Sequence, residues 1–299
     1  MRFVLLLRVL GLLLCFASVC HVAPAADRAS TLALDNPFFV FDNGLGRGKL
    51  PLAEQAQLAK EAGFAGIGYT GTQRIPEMLA ELDKRGLVMF NTYVGIVLSP
   101  EGPVFQEGLE QAIRDLEGRE TVLWLTVRGN APNAREQAVA ALRQVADWAG
   151  RSNLRIALYP HAGFYVATAE DSLELAQQVD RPNVGATFNL CHWLRTAPGQ
   201  NLEPLLDKVF PKLMLVSING ADTEGGWDRL IQPLDSGEYD VYALLKSLRR
   251  RGYNGPIGLQ CYAIKGDIRE NLHRSMTAWR QFVHRMAEEE PRCMPGKGM

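Results

Sequence analysis

Short apolar runs alternate with amphipathic segments along the chain from Phe38 onward. The apolar runs predict eight strands, at residues 38–42, 66–69, 87–93, 121–127, 154–159, 184–189, 212–219 and 256–261. The segments that follow them have helical periodicity and predict helices at 52–62, 75–85, 105–116, 134–150, 173–179, 202–210, 242–251 and 268–284. The run Val122-Leu123-Trp124-Leu125 is apolar on both faces, which is typical of parallel strands covered by helices.

The number and order of these elements predict a single-domain α/β fold, a (β/α)8 TIM barrel. Eight strand–helix units in about 250 residues match the usual size of that fold. We place the barrel at residues 31–285 and predict a disordered tail over 286–299. An open doubly wound sheet is the alternative, and it is less favoured because no glycine fingerprint follows the first strand in the required register.

The first 25 residues have the features of an export signal. Arg2 and Arg8 flank the beginning of an apolar stretch at 9–16, and Ala23-Pro24-Ala25 supplies the small residues of a cleavage site. A membrane anchor is the alternative, but a span needs about 20 apolar residues and this stretch is shorter. We therefore predict a signal peptide over residues 1–25 and a secreted or periplasmic protein with no membrane attachment after its removal.

Composition and charge point to a partner that is small or neutral. Hydrophobic residues make up 47% of the 299 residues, which is enough for a substantial core. With 32 basic and 33 acidic residues the net charge is -1, so the chain lacks the basic excess that nucleic acids attract. Cys191, Cys261 and Cys293 remain after the predicted signal, without metal-type spacing. We interpret the first two as buried apolar thiols and the last as a tail residue.

Polar and aromatic side chains follow the predicted strands where each strand ends. In (β/α)8 barrels the carboxyl ends of the strands carry the working residues. These positions hold Asp42, Asn43, Tyr69, Asn91, Tyr93, Thr126, Arg128, Tyr159, His161, Asn189, His192, Ser217, Asn219, Asp222, Gln260 and Tyr262. The pattern indicates a ligand pocket. The Gly-Leu-Gly-Arg-Gly segment at 44–48 lacks Gly-Lys-Ser/Thr, so we interpret it as a flexible connection and not as a phosphate cradle.

Four segments in this order resemble the xylose isomerase-like TIM barrel superfamily of sugar phosphate isomerases and epimerases. They are EAGFAG at 61–66, RPNVGATFNLCH at 181–192, DSGEYD at 235–240 and RGYNGP at 251–256. The resemblance covers nearly the whole chain after the signal. It implies a sugar or sugar derivative as the small-molecule partner, and proton transfer as the chemistry.

The resemblance also implies a divalent metal held by two glutamates, an aspartate and a histidine, and this chain departs from that set. The first glutamate falls on Tyr159, the aspartate on Asn189, the histidine at or near Ser217, and the last glutamate on Gln260. Hard cations prefer carboxylates and transition ions prefer imidazole, so we predict no metal cofactor at these positions. The alternative is that Asp222, Glu224 or Asp228, in the long loop at 221–239, supplies a carboxylate.

The same substitutions remove the acid/base glutamates of the family. His161 and His192 are then the candidate catalytic residues, because histidine exchanges protons near neutral pH. The candidate substrate-binding residues are Tyr159, Asn189, Asn219, Gln260, Tyr262, Asp222 and Arg128.

Three functions are compatible with these residues. The first is an exported sugar isomerase or epimerase that transfers protons through histidine. The second is a non-catalytic carbohydrate-binding barrel, and the third is a lyase or hydrolase of an unusual glycoside. The sequence does not specify whether the chain is an enzyme, which sugar it binds, or its oligomeric state.

Overall fold

Eight parallel strands close into a barrel in the computed structural model, which describes residues 33–289. The barrel strands are β1 Phe38–Phe41, β2 Gly66–Thr70, β3 Val88–Leu98, β5 Val122–Gly129, β6 Arg155–Leu158, β7 Val184–Asn189, β8 Leu213–Ile218 and β9 Ile257–Leu259. Pairing of β1 with β9 and of β2 with β3 closes the ring. A short strand, β4 Val104–Phe105, pairs antiparallel with β3 outside the barrel. The chain is therefore a single-domain (β/α)8 TIM barrel.

Helices follow the strands and cover the barrel. They are α1 Leu52–Ala62, α2 Ile75–Asp83, α3 Leu109–Asp115, α4 Ala134–Arg151, α5 Ala169–Val179, α6 Leu190–Thr196, α7 Glu203–Val209, α8 Trp227–Leu230, α9 Val241–Arg250 and α10 Ile268–Glu289. Local sequence fixes several ends: Gly63 takes a left-handed conformation after α1, and a capping box between Thr168 and Asp171 begins α5.

Alternation along the strands divides the core into two layers. In β1, Phe38 and Val40 pack towards the helices, while Phe39 and Phe41 belong to a smaller cluster with Trp124 and Tyr159. Successive side chains of a strand point to opposite faces, so the second set fills the barrel interior. Gly258 makes room for this aromatic filling, because an added Cβ there would lie 2.5 Å from the Phe39 ring.

The structure differs from the sequence expectations at four helices. Helix α3 begins at Leu109, because Phe105 pairs in β4. Helices α6 and α8 were not predicted. Helix α10 continues to Glu289, so residues 286–289 are helical and not part of a disordered tail.

Other expectations concern the termini and the cysteines. The predicted signal peptide, Cys293 and the rest of the tail lie outside the described residues. Cys191 and Cys261 are buried free thiols, as predicted. Within residues 33–289, none of the helices combines the length and apolarity needed to cross a bilayer.

Candidate functional site

A cavity of about 410 Å³ opens at the carboxyl ends of the barrel strands. Its volume is within the range of small-molecule sites. Its walls are mainly aromatic and amide side chains, and both candidate histidines contribute to them. The lining residues are Phe41, Asn43, Arg47, Thr70, Tyr93, Trp124, Tyr159, His161, Ala162, His192, Trp227, Ile231, Gln260 and Tyr262.

Tyr159 is hydrogen-bonded to Asn189 and Gln260, the two amides at positions where the resemblance implies carboxylates. Asn189 Nδ2 donates to Tyr159 Oη over 3.0 Å, and the Gln260 side chain also hydrogen bonds with the phenol. Gln260 Oε1 accepts from Asn43 Nδ2 at 2.5 Å. Burial raises the pKa of the Tyr159 phenol well above its ordinary value, so the group stays uncharged. The structure therefore brings Tyr159, Asn189 and Gln260 together, as the alignment of strand ends predicts.

This group does not fit the divalent ion that the resemblance implies. The Nδ2 of Asn189 faces the phenol as a donor, and its Oδ1 already accepts from the Cys191 thiol and the His192 N–H. Ser217, at or near the position where the resemblance implies a histidine, offers a buried hydroxyl, which is a poor substitute for imidazole. Among the described residues, no group of three or more His, Cys, Asp or Glu side chains is placed to hold a metal.

The loop carboxylates that could rebuild a metal site lie elsewhere. Asp222 forms an ion pair with Arg229 and accepts a hydrogen bond from the Glu238 N–H at 3.3 Å. Glu224 and Asp228 are exposed to solvent and do not line the cavity. In the described part of the chain, Asp222 thus stabilises the loop itself, and none of these three carboxylates lines the cavity.

His161 and His192 form a contacting pair, and both rings hydrogen bond with the backbone of one residue, Ala162. Their ring centroids are 4.2 Å apart. The Ala162 carbonyl lies 3.0 Å from His161 Nδ1, and the Ala162 N–H donates to His192 Nδ1 over 3.2 Å. Only a protonated nitrogen can face a carbonyl oxygen, and only an unprotonated one can accept from an N–H. His161 therefore carries its proton on Nδ1, whereas neutral His192 carries it on Nε2.

Burial keeps both rings neutral. It lowers the pKa of His161. It lowers the pKa of His192 to about 3, and the neighbouring His161 adds to this shift. His192 is 6% exposed, and its Nδ1 is occupied by the hydrogen bond from the Ala162 N–H. At neutral pH the pair thus offers one unprotonated Nε2, on His161, and one Nε2–H, on His192.

Aromatic rings surround this pair. Tyr159 lies in the barrel interior against Trp124, with ring centroids 3.9 Å apart, and meets His192 edge-on at 5.4 Å. At the mouth, Trp227 meets His192 at 5.2 Å. Trp227 and Tyr262 are 38% and 56% exposed although both line the cavity. Such rings provide apolar faces on which the C–H groups of a sugar can pack.

Four predicted binding residues lie outside the cavity wall, Asn219, Asp222, Arg128 and Asn189. Asn219 Nδ2 donates to the carbonyls of Gly220 and Leu230, so it fixes the loop that carries Trp227. Asp222 belongs to the same loop. Arg128 is exposed at the end of β5 and does not line the cavity. Asn189 lies directly behind Tyr159.

Arg47 is a charged wall residue that sequence reasoning missed. The segment at 44–48 is not a free connection, because Arg47 Nη1 binds Asp42 Oδ1 at 3.1 Å and also the Thr70 hydroxyl. Left-handed glycines at 46 and 48 turn the chain around it. The sequence signal for Arg47 was its place in the loop after the first strand, at the carboxyl ends of the barrel strands, where barrels carry their functional residues.

Comparisons with known proteins agree with this fold. A family model described as a xylose isomerase-like TIM barrel matches residues 56–281. The chain is 25% identical over 263 residues to the putative hydroxypyruvate isomerase of Mus musculus, covering 78% of this chain and 91% of that protein.

Solved structures show the same likeness. A 3-keto-D-glucoside 4-epimerase from E. coli has a TM-score of 0.65 at 19% identity, covering 82% of this chain and 99% of that one. An L-ribulose 3-epimerase has a TM-score of 0.68 at 14% identity, covering 84% and 95%.

Proposed function

The chain belongs to the xylose isomerase-like TIM barrel family, whose fold is that of sugar isomerases and epimerases, and from this we propose that it transfers a proton on a sugar or sugar derivative. The proton moves at a carbon next to a carbonyl group, and His161 and His192 are the acid/base residues. The proposed reaction is an isomerisation or epimerisation that needs no resident metal.

The opposite protonation of the two rings carries this proposal. His161 Nε2 has a lone pair and can remove the proton from the carbon. His192 Nε2–H can donate a hydrogen bond to the carbonyl oxygen, where negative charge develops as the C–H electron pair moves into a carbon–carbon double bond. A neutral imidazole can serve as such a donor. In an epimerisation, return of a proton to the other face of the same carbon restores the carbonyl group. In an isomerisation, the proton returns to the former carbonyl carbon, and the hydroxyl proton of the neighbouring carbon passes to the former carbonyl oxygen, so that atoms and charges balance.

The other walls suit a hydroxylated ligand. Asn43 and Gln260 place amide groups at the cavity, and amides both donate to and accept from hydroxyl groups. The exposed faces of Trp227 and Tyr262 supply the apolar surface. The putative hydroxypyruvate isomerase and the two epimerases named above act, by their names, on compounds that carry hydroxyl and carbonyl groups together.

Isotope exchange tests the proposal. The purified protein is incubated with a panel of aldoses, ketoses and hydroxy-oxo acids in heavy water, and incorporation of deuterium at carbon is followed by NMR. We expect exchange with the natural chain and its loss in His161→Gln and His192→Gln. His273→Gln, which changes an exposed histidine on α10, is the matched control.

The alternative is a non-catalytic carbohydrate-binding barrel, favoured by uncharged residues at all four inherited ligand positions. Binding of sugars without exchange across the whole panel would support it and overturn the catalytic proposal.

Two parts of the proposal have their own tests. Elemental analysis of the purified protein is expected to find less than one equivalent of a divalent metal. Cell fractionation is expected to find the protein outside the cytoplasm, since export rests on the predicted signal at residues 1–25.

A further inference from the structure

We propose that the ligand of this cavity carries one carboxylate, and that Arg47 binds it at the cavity wall. This inference rests on the proposed function and specifies its substrate as an acid sugar or a hydroxy-oxo acid. It replaces Arg128, the arginine that the sequence suggested, with one that lines the cavity.

The charges on the wall support an anionic ligand. Among the described residues that line the cavity, Arg47 alone carries a formal charge, since burial keeps His161 and His192 neutral at pH 7. A carboxylate on the ligand would therefore meet a cation and no lining anion. A neutral sugar would provide no anion for the edge of the Arg47 guanidinium that is not paired with Asp42.

The Arg47 guanidinium is hydrogen-bonded to the protein through Nη1. Its Nη1 binds Asp42 Oδ1 and the Thr70 hydroxyl, while Thr70 Oγ1 donates to the same carboxylate oxygen at 2.8 Å. Its Nε and Nη2 have no hydrogen bond to the described residues. The Arg47 side chain is 41% exposed and that of Asp42 is 1% exposed. One edge of the guanidinium is thus held in position and the other can bind a carboxylate through two parallel bonds.

Asp42 offsets part of the Arg47 charge, and further cations lie close by. Burial raises the pKa of the Asp42 carboxyl, against the opposite influence of Arg47 and Thr70. A neighbouring cavity of about 430 Å³ shares Arg47 and Thr70 and adds Lys49 and Arg74 to its walls, with Asp42 as the acid that lines it in the described structure. Arg74 pairs with Glu77. The balance around Arg47 remains positive, which attracts anions to the mouth.

The single positive charge of Arg47 on the cavity wall favours a carboxylate over a phosphate monoester as its ligand. A single lining arginine matches a monoanion with planar, two-pronged geometry. A phosphate dianion would need a second cation on the wall, and Lys49 and Arg74 lie on the neighbouring cavity.

Matched ligands test the inference. Binding is measured by calorimetry for pairs that differ only by CH2OH against carboxylate, such as D-glucose with D-glucuronate, D-galactose with D-galacturonate, and glycerol with glycerate. At least one acid is expected to bind on the order of tenfold more tightly than its neutral partner, as a charge-assisted two-pronged contact implies. The advantage is expected to fall as salt is raised.

Arginine variants identify the residue. Arg47→Met is expected to abolish the acid preference, and Arg47→Lys to keep part of it. Arg181→Met is the matched control, because Arg181 also pairs with one aspartate, Asp147, away from the cavity. Urea unfolding verifies that each variant is folded.

Three results would overturn the inference. They are equal binding within every pair, an acid preference that survives in Arg47→Met, and tighter binding of D-glucose 6-phosphate than of any acid. The proposed function fails separately, when the compounds that bind undergo no deuterium exchange.

Discussion

Replacing His192 by glutamine is expected to remove part of the loss of stability that the natural protein suffers as pH falls. His192 is buried, and burial lowers its pKa from 6.5 to about 3. In the unfolded chain the ring takes up a proton near pH 6.5, while in the folded protein it stays neutral down to much lower pH. The unfolded state therefore binds more protons between these values, and the free energy of unfolding decreases as pH falls.

The size of the effect follows from the shift. Each pH unit below 6.5 costs about 1.4 kcal/mol until the folded pKa is reached. Between pH 7 and pH 5, His192 should account for a loss of about 2 kcal/mol. This amount is a substantial fraction of the 5–15 kcal/mol that stabilises ordinary domains.

Urea unfolding at pH 7, 6 and 5, followed by tryptophan fluorescence, measures this loss. We compare the natural chain with His192→Gln and use the difference between the two slopes, since other groups also titrate in this interval. The variant should lose about 2 kcal/mol less than the natural chain over the two pH units. His273→Gln controls for the removal of a histidine from an exposed position. Identical slopes for the natural chain and His192→Gln would refute the interpretation of His192 as a buried neutral ring.

Two further substitutions test the site and its loop. Tyr159→Phe leaves the buried Asn189 Nδ2 without its partner, so the free energy of urea unfolding should fall by about 1–3 kcal/mol; an unchanged value would mean that the phenol–amide bond does not form. Gly220→Ala should shift the loop that carries Trp227, because the new Cβ would lie 1.9 Å from the Pro233 carbonyl oxygen. Faster proteolysis of the loop is the expected result, and Gly150→Ala, whose Cβ meets nothing closer than 3.6 Å, is the control that should not show it.

The sequence predicts elements well where the period of its apolar residues is long enough to be recognised. Helix α1 lies at the predicted residues 52–62, between Pro51 and a left-handed Gly63. Helix α6 begins at Leu190, directly after β7 ends at Asn189, so no break in the sequence separates it from the strand. Helix α8, with 4 residues, is too short for a helical period to be visible. The two residues of β4 likewise resemble the start of the helix that follows.

The same limit applies to the site. Strand ends are predictable because parallel strands finish at one edge of the barrel, and this places His161 and His192 near each other. The hydrogen bonds of both rings with the Ala162 backbone are not predictable, since they depend on the loop conformation after β6. Arg47 was missed for a similar reason. Its glycine-rich segment indicates a turn but does not show which side chain the turn presents.

The hydrogen bonds around Tyr159 also determine how difficult a return to metal binding would be. An Asn189→Asp change would restore one inherited carboxylate but remove the Nδ2 that donates to Tyr159 Oη. The phenol, the Ser217 hydroxyl and the Gln260 amide would still occupy the other three positions. A single buried carboxylate next to neutral groups carries a desolvation cost without a cation to offset it. Tyr159, Asn189 and Gln260 are thus stabilised in their present form by one another, and in the proposed function this leaves His161 and His192 as the groups in this cavity suited to move protons near neutral pH.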